Sequence, residues 1–482
     1  MQRFFGWLFG MVLAPVAAAS AMAQADEAPP QDQRRWLAGD HHVHSVYSAR
    51  YRSDPERPGE PPEPLLGGDA WYPVLQNAQM ARRFGLDWMV STDHGGPGHS
   101  QLNYDMAWPD VVAARAALPD LVLFYGMEFD VPGGEHASLI LPINAAERDI
   151  LRQIEAGFGK REAFPDDSAR NTKERMIEAL RFMAQFPVPP IIIANHPSRT
   201  ATGPGLWGRH TPAEYRAWHD AAPNVVIGME GAPGHQAAQP KSGLDVAHGS
   251  RGLYGGSPTL GGFDQMVATL GGAWDGLLGQ GLRWTITATS DSHGHWSEGG
   301  ADFWPGEYAK TWVYAKPEAA DIMDGLRSGR VFVATGGLID RLEFTVAAVG
   351  SGQTPAAMGD SLAVDSKTML QGTIRFRSSP VANAGGATVS VDHVDLIAGD
   401  ANGQQGDSNP TTRVVRRFTA ADWQRDGESY VIRFRMPAPD VSGYLRLRGS
   451  STDQAEPAPD VAGENPWDDL WFYSNPVYLR SQ

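Results

Sequence analysis

Short apolar runs alternate with helix-like stretches over residues 36–337 of the chain. The predicted strands are residues 36–40, 86–92, 121–128, 137–142, 190–195, 225–230 and 284–290. The predicted helices are residues 74–84, 111–117, 172–186, 212–221 and 263–270. Strands that alternate with helices predict βαβ units and a parallel sheet. Seven strands over this length favour a closed or nearly closed barrel, so the predicted fold class is α/β.

The pattern changes at about residue 338. Short runs, several of which alternate apolar with polar residues, are separated by Gly, Pro, Asp and Asn. They occupy residues 341–349, 368–377, 388–397, 413–418, 430–436 and 444–448. Short strands punctuated by turn residues predict an antiparallel, β-sandwich-like domain over residues 338–482.

The N-terminal residues are typical of a targeting sequence. Arg3 precedes an apolar run over residues 7–16, and Ala21-Met22-Ala23 provides a small-x-small cleavage pattern. We therefore predict a signal peptide over residues 1–23, a polar linker over residues 24–35, and a periplasmic or secreted protein. An uncleaved anchor is the alternative, and no later stretch is long and apolar enough to predict a membrane span.

Composition restricts the chemistry. The chain has no cysteine, which excludes disulfides, thiolate nucleophiles and Cys-type zinc sites, so any metal must bind to nitrogen and oxygen. It carries 40 basic and 56 acidic residues without a basic run, which argues against a nucleic-acid partner. Of the 14 histidines, only His393 lies outside residues 41–295, so the chemistry is expected in the predicted barrel.

Polar motifs lie at the ends of the predicted strands. Alternation in the extended segment after the first strand puts His42 and His44 on one face, where both rings can reach the same ion. The other motifs are Thr92-Asp93-His94-Gly95, Gly126-Met127-Glu128, His136, His196-Pro197 and Ser290-Asp291-Ser292-His293. Each motif alone has an ordinary explanation, such as an exposed histidine, a capped turn or a salt bridge. Together, on the rim where barrels build active sites, they predict a metal cluster.

In this order, the motifs resemble those of the PHP (polymerase and histidinol phosphatase) superfamily, over residues 36–335. The resemblance implies a distorted seven-stranded (β/α) barrel with two or three divalent Mn, Zn or Fe ions. The ligands that it implies are His42, His44, His94, Glu128, His136, His196, Asp291 and His293, with Glu128 bridging two ions. The C-terminal β region and its Tyr473-Ser474-Asn475-Pro476 resemble the exported branch, which includes carbamate-cleaving enzymes.

The chain departs from this pattern at one place. Members with three ions usually carry a further His or Asp shortly after the His-x-His, and residues 45–50 contain neither. Asp54, Asp69 or a water are candidate replacements. Asp40 and Asp93, which lie beside ligand histidines, are candidate acceptors of ring N–H protons or additional ligands.

A metal cluster of this kind suits hydrolysis. A metal ion lowers the pKa of bound water from about 15.7 to near 7, and a carboxylate bridge holds two ions roughly 3.5–4 Å apart. Arg199 and Lys310 are candidates for gripping a phosphate oxygen, and His295 and His235 are candidate general acids.

The leading hypothesis is a phosphoesterase acting on small organic phosphodiesters, because the rim offers few cations to hold a dianionic monoester. A carboxylic-ester or carbamate hydrolase with the same metal centre is the alternative. A non-catalytic, metal-stabilised binding protein is a third reading, which loss of the ligand set would favour.

Overall fold

The computed structural model describes residues 33–237, 251, 254–404 and 406–482. The strands of the first part are β1 (Arg35–Asp40), β2 (Arg50–Arg52), β3 (Glu63–Leu65), β4 (Trp88–Ser91), β5 (Val122–Asp130), β6 (His136–Ile140), β7 (Ile191–Ala194), β8 (Val226–Ala232), β9 (Thr285–Ala288), β10 (Ala309–Ala315) and β11 (Val331–Thr335). The helices are α1 (Val74–Arg83), α2 (His99–Leu102), α3 (Trp108–Ala117), α4 (Glu147–Phe158), α5 (Lys173–Met183), α6 (Pro212–Ala221), α7 (Gln265–Ala268), α8 (Ala273–Gly279) and α9 (Ala319–Ser328), with a π-helical turn at Asn103–Ala107 and 3₁₀ turns at Ser168–Arg170 and Trp296–Glu298.

The remaining strands follow α9. They are β12 (Arg341–Ala348), β13 (Ala356–Ala357), β14 (Ser361–Val364), β15 (Met369–Arg377), β16 (His393–Asp400), β17 (Arg413–Thr419), β18 (Gln424–Asp426), β19 (Ser429–Pro437), β20 (Gly443–Ser450), β21 (Trp471–Ser474) and β22 (Val477–Ser481). The predicted signal peptide and most of the predicted linker lie outside the described residues. Within those residues, no helix combines the length and the apolar character needed to cross a bilayer.

The fold is a mixed α/β fold built on one large mixed sheet. Strands β1, β4 and β5 run parallel, as do β7, β8 and β9, but β6 is antiparallel to both β5 and β7. The predicted parallel sheet is therefore present in part, with β6 as the antiparallel exception among these strands. Only residues 131–135 connect β5 to β6, and a parallel crossover needs a dozen residues or more, so these two strands form a hairpin.

Side chains link β9 with β1 and β10, which lie elsewhere along the strand path of the sheet. The Thr311 hydroxyl of β10 accepts a hydrogen bond from Ala288 N of β9 and donates one to Ala288 O, both at 2.8 Å. Asp40, at the end of β1, accepts from Ser290 N at 3.0 Å. These bonds bring the ends of β1 and β9 together, while closure into a barrel stays a prediction.

The longer helices cover the sheet with an apolar face. In α1, the buried residues Val74, Ala78 and Ala81 recur at helical spacing, which is the pattern of an amphipathic helix. The N-terminus of α5 is capped by Thr172, whose hydroxyl accepts from Arg175 N at 3.1 Å. The helices thus bury their apolar faces and leave the strand ends free for polar side chains.

The strands after residue 338 extend the large sheet and add a second one. Strand β21 pairs with β11, and β20, β22 and β14 continue from it, whereas β13, β12, β15, β19 and β18 form a separate antiparallel sheet. Pairing with β21 covers the edge of β11, which would otherwise expose unpaired backbone groups. Residues 34–482 form one compact unit, and the predicted domain boundary near residue 337 stays a prediction.

Asn475 joins this C-terminal region to the strands that carry the site. Its side-chain oxygen accepts from Ile286 N at 2.9 Å, and its nitrogen donates to Ile286 O and Val331 O, both at 3.1 Å. The Asn475→Ala variant leaves these buried backbone groups unpaired. Each group that water cannot reach then lowers the free energy of unfolding by about 1–3 kcal/mol. We expect the free energy of unfolding to fall by about 2–4 kcal/mol, measured by urea denaturation.

The exposed Asn402 offers a control for this prediction. The Asn402→Ala variant should change the free energy of unfolding by less than about 0.5 kcal/mol, as most surface substitutions do. Equal effects from the two alanine variants would show that Asn475 does not hold the strands together.

Candidate metal centre

Glu128, at the rim end of β5, presents its two carboxylate oxygens to different histidines. Oε1 lies 2.9 Å from His196 Nε2, 3.1 Å from His42 Nε2 and 3.2 Å from His136 Nδ1. Oε2 lies 2.7 Å from His94 Nδ1. A carboxylate whose oxygens face separate sets of nitrogen ligands is placed to bridge two metal ions.

Asp291 is the second carboxylate of the cluster. Its Oδ1 lies 3.0 Å from His42 Nε2 and 3.1 Å from His44 Nε2, while its Oδ2 lies 3.0 Å from His235 Nε2. The ring of His293 stacks on that of His44, with centroids 3.8 Å apart. The structure therefore brings together all eight residues that the family resemblance implies as ligands. His136 reaches the same rim as the others because β6 is antiparallel and starts there.

Unpaired buried atoms test whether the cluster fits a metal. Five buried atoms of the cluster have no hydrogen-bond partner: His44 Nε2, His94 Nδ1, Glu128 Oε2, His196 Nδ1 and Asp291 Oδ1. His94 Nδ1 and Glu128 Oε2 approach to 2.7 Å without a properly oriented hydrogen bond, as two ligand atoms of one ion do. Leaving such atoms unpaired is unfavourable, and a divalent cation satisfies them. Several buried His, Glu and Asp groups can thus hold metal ions.

Protonation of the cluster also fits metal binding. Burial lowers the pKa of four rings, which leaves their nitrogens free to coordinate at neutral pH: His44, His94, His196 and His293. Burial raises the pKa of Glu128, but the surrounding histidines lower it by a larger amount. The pKa of Glu128 is therefore well below its usual range. For His136, burial opposes the charge, yet Glu128 and Asp130 raise its pKa to about 9.

The backbone is strained where the site is built. The non-glycine residues with positive φ in the described part of the chain are His196 (32°), His235 (58°) and Asp291 (47°). Such conformations are unfavourable for these residue types and cluster at functional sites. Beside them, Gly234 allows a close approach, since a Cβ there would lie 2.1 Å from that of Asp291.

Glu230, at the end of β8, orients two of the histidines. Its Oε1 accepts from His42 Nδ1 at 2.7 Å and from the Thr289 hydroxyl at 2.8 Å, and its Oε2 accepts from His196 N at 2.5 Å. The bond to Nδ1 fixes the His42 tautomer that leaves Nε2 free to coordinate. The sequence analysis did not assign Glu230, although it ends a predicted strand as the ligands do.

Replacement of Glu230 tests this role. We expect Glu230→Gln to weaken metal affinity about 10- to 100-fold, the usual effect of losing a carboxylate that orients a ligand histidine. Competition with a metallochromic chelator measures the affinity. The matched control is Glu318→Gln, on the exposed residue before α9, which should leave it unchanged. Unaltered affinity in a folded Glu230→Gln protein would remove Glu230 from the site.

Asp40 and Asp93 support the cluster from behind. Asp40 Oδ1 accepts from His42 N at 3.0 Å, and burial raises its pKa to about 7. Asp93 Oδ1 accepts from the Ser48 hydroxyl at 3.0 Å, and that hydroxyl lies 2.8 Å from His44 Nδ1. These contacts differ from the predicted acceptance of ring N–H protons, because Asp40 holds the backbone of His42 and Asp93 reaches the His44 ring only through Ser48.

Two predicted catalytic residues do not reach the cluster. His295 has both ring nitrogens engaged, Nδ1 with Ser297 Oγ at 2.7 Å and Nε2 with Glu307 Oε2 at 3.0 Å. Lys310 donates to Phe84 O at 2.7 Å and lines a separate cavity. Successive side chains of a strand point to opposite faces of the sheet. Because Thr311 faces β9, its neighbour Lys310 points away from the cluster.

The predicted replacement ligands have different outcomes. Asp54 pairs with Arg57 at 2.8 Å on an exposed loop instead of joining the cluster. Asp69 Oδ2 lies 3.5 Å from His94 Nε2 and 3.7 Å from His293 Nε2. Of the two candidates, Asp69 therefore lies beside the cluster and Asp54 does not.

A cavity of about 410 Å³ opens over the cluster. His94, His136 and His293 form its floor, and Arg199 and His235 line it, as expected for a substrate site. His235 is held by a residue that the sequence analysis missed, Asp302, whose Oδ1 lies 2.6 Å from Nδ1. Burial lowers the pKa of His235, but Asp291 and Asp302 raise it well above its usual range.

Comparison with known proteins gives no relative: neither a protein-family model nor a curated protein sequence matches the chain. Side-chain geometry, together with the motifs that resemble those of the PHP superfamily, is therefore the basis for assigning a function.

Proposed function

We propose that the chain is a metal-dependent hydrolase of the PHP superfamily that cleaves small organic phosphodiesters. The observation that carries the proposal is the Glu128 carboxylate, whose oxygens face two separate sets of histidines. Two or three divalent Mn, Zn or Fe ions, when bound, supply a nucleophile at neutral pH and neutralise charge on the phosphoryl oxygens.

The ligand atoms fall into overlapping groups. His42, Glu128 and His196 form one group, and His94, Glu128 and His136 form another. Further groups contain His42, His44 and Asp291, and His44, His94 and His293. Because Glu128 is shared by the first two groups, it would hold two ions in one site, and His44 with His293 would complete their surroundings.

His235 is placed to act as the general acid. Its ring lines the cavity, and Asp302 fixes its orientation through Nδ1. The raised pKa means that the ring is protonated at neutral pH in the metal-free protein. Nε2 lies 3.0 Å from Asp291 Oδ2, so its proton would have to leave that carboxylate to reach a departing alkoxide, which is the step that hydrolysis of an alkyl ester requires. Unlike His295, the His235 ring faces the cavity over the cluster.

Charge on the cavity wall favours an anionic substrate. Arg199 donates to Glu135 Oε1 at 2.8 Å, and Arg209 donates to Glu135 Oε2 at 3.2 Å. One carboxylate between two guanidinium groups leaves one unit of positive charge at this part of the wall, while Asp69 and Asp302 lie elsewhere on it. Among the described residues that line this cavity, Arg199 is the one Arg or Lys side chain. A single guanidinium suits the single charge of a diester better than the two charges of a monoester.

Arg199→Ala separates the enzymatic alternatives. Losing a charged partner of the phosphoryl group in a dry site costs about 2–4 kcal/mol, so kcat/KM for bis(4-nitrophenyl) phosphate should fall roughly 30- to 1000-fold. A neutral nitrophenyl acetate or carbamate offers the guanidinium no anion, so those rates should change only a few-fold. All three substrates are compared at equal metal loading.

Arg209→Ala is the matched control, because this arginine shares Glu135 but does not line the cavity. It should change diester hydrolysis by only a few-fold. Equal losses for diester and carbamate in the Arg199→Ala protein would make Arg199 a structural residue. The preference for phosphodiesters would then have lost its main support.

A carbamate or carboxylic-ester hydrolase is the second candidate. The observation in its favour is Trp71, which lines the cavity with 41% of its surface exposed and offers an aromatic wall to a neutral aryl group. Faster turnover of the nitrophenyl carbamate than of the diester in the unaltered protein would select this function.

A further inference from the structure

A second cavity adjoins the one over the metal cluster. Its volume is about 470 Å³, and it shares Asp69, His94 and His136 with the first cavity. The shared residues belong to the metal cluster or contact it, so the cluster lies where the two cavities meet. A phosphodiester bound at this junction would extend one ester arm into each cavity, whereas a monoester would fill only one.

Two exposed guanidinium groups line the second cavity, each beside a carboxylate. Arg50 lines it with 70% of its side chain exposed, and its Nε lies 3.6 Å from Asp69 Oδ1. Arg161 also lines it, with 49% of its side chain exposed, and donates from Nε to Asp130 Oδ2 at 2.9 Å. Asp130 is fully buried behind the wall. The exposed wall therefore presents two guanidinium groups and one carboxylate.

Tyr51 adds an unused hydrogen-bond donor. Its hydroxyl oxygen is buried and has no hydrogen-bond partner among the described residues. The ring packs against Gly96, where a Cβ would lie 2.2 Å from a ring carbon, so the glycine makes room for the tyrosine. A buried hydroxyl without a partner is unfavourable, and an oxyanion in the cavity would accept its hydrogen bond.

We infer that the second cavity binds a carboxylate on one ester arm of the substrate, through Arg50, Arg161 and Tyr51. The inference rests on the proposed phosphodiesterase function and names its substrate class: a diester with one anionic arm. The two exposed guanidinium groups and the unpaired Tyr51 hydroxyl offer donors that suit the two oxygens of a carboxylate. The β2–β3 hairpin, which carries Arg50 and Tyr51, thus becomes the element that selects the substrate.

Three 4-nitrophenyl phosphodiesters test the inference, with a 2-carboxyethyl, a propyl or a choline second arm. Hydrolysis of each consumes one water, breaks the bond between phosphorus and the nitrophenyl oxygen, and releases nitrophenolate, a proton and the phosphate monoester of the second arm. Two measurements are made on the full chain: kcat/KM with the metal-loaded protein, and calorimetric binding to the metal-depleted protein.

We expect the carboxyethyl ester to be preferred, by kcat/KM and by affinity, over the propyl ester and more strongly over the choline ester. Arg50→Gln and Tyr51→Phe should each reduce the preference for carboxyethyl over propyl about fivefold. Tyr51→Phe removes only an unpaired hydroxyl, so its folding should be unaffected. Arg52→Gln is the control, because this residue of the same strand pairs with Glu63 and does not line the cavity.

The two measurements separate the two claims. Equal binding of the three esters, or an equal loss of preference in Arg52→Gln, would overturn the inference even if all three are hydrolysed. Selective binding of the carboxyethyl ester without hydrolysis of any ester would support the anion site and refute the phosphodiesterase function.

Discussion

The Glu128→Gln variant is expected to lose about 1000-fold in kcat/KM, or more, for any substrate that the metal centre hydrolyses. A neutral amide offers one weak oxygen ligand in place of two charged ones, so it cannot bridge the histidine sets that Oε1 and Oε2 face. A 1000-fold loss corresponds to about 4 kcal/mol of transition-state stabilisation. Initial rates at saturating metal, with the bound metal counted by mass spectrometry, measure the effect.

The same variant should keep its fold but lose stability in the metal-free state. Glu128 is buried among histidines that hold its pKa well below its usual range, so its charge stabilises the folded protein, and an isosteric amide loses that interaction. Loss of activity with an unchanged circular-dichroism spectrum would assign the residue to the metal centre. Glu318→Gln, at an exposed position, provides the control for the charge change itself and should retain full activity. Full activity and full metal content in Glu128→Gln would mean that the bridging assignment is wrong.

Removal of metal is expected to abolish hydrolysis, and addition of Mn or Zn to restore it. The chain has no cysteine to act as a nucleophile. In the proposed mechanism, metal ions held by the buried imidazoles and carboxylates activate water for attack. Activity after dialysis against a chelator should fall below about 1% of the starting value. Without a metal ion, water keeps its pKa of about 15.7, so almost no hydroxide is available at neutral pH. Rates that persist in protein shown to be metal-free would refute the proposed mechanism.

Proton release gives this prediction a second readout. His136 has a pKa raised to about 9, so its ring is charged at pH 7 in the metal-free protein, and carboxylates raise the pKa of His42 as well. Coordination requires neutral rings, so metal binding must release protons. Metal affinity should therefore rise with pH up to about 9, and titration in weak buffer with an indicator dye should record the released protons.

Much of the site could be predicted from the chain because strand ends and alternation are local properties. The strands predicted around the motifs are present as β1, β4, β5, β6, β7, β8 and β9. Alternation placed His42 and His44 on one face, and both rings approach Asp291 Oδ1. Absence of cysteine restricted any metal to nitrogen and oxygen ligands. These conclusions need only the side-chain period of a strand and the inventory of donor atoms.

The partners of these residues are decided by the tertiary structure. Glu230, Asp302 and Asp69 lie far in sequence from the rings that they approach, and no local pattern connects them. Lys310 and His295 were candidates because they follow the last motif in sequence, and that does not decide where their side chains point. For Lys310, the sequence does not say which face of β10 is the inner one. That choice depends on β10 packing antiparallel to β1, with Thr311 turned toward β9. The sequence therefore determined which residue types can hold a metal. Packing between distant strands decided which of these residues meet, because a strand buries one whole face of side chains at once, and the partner of that face lies far away in the sequence.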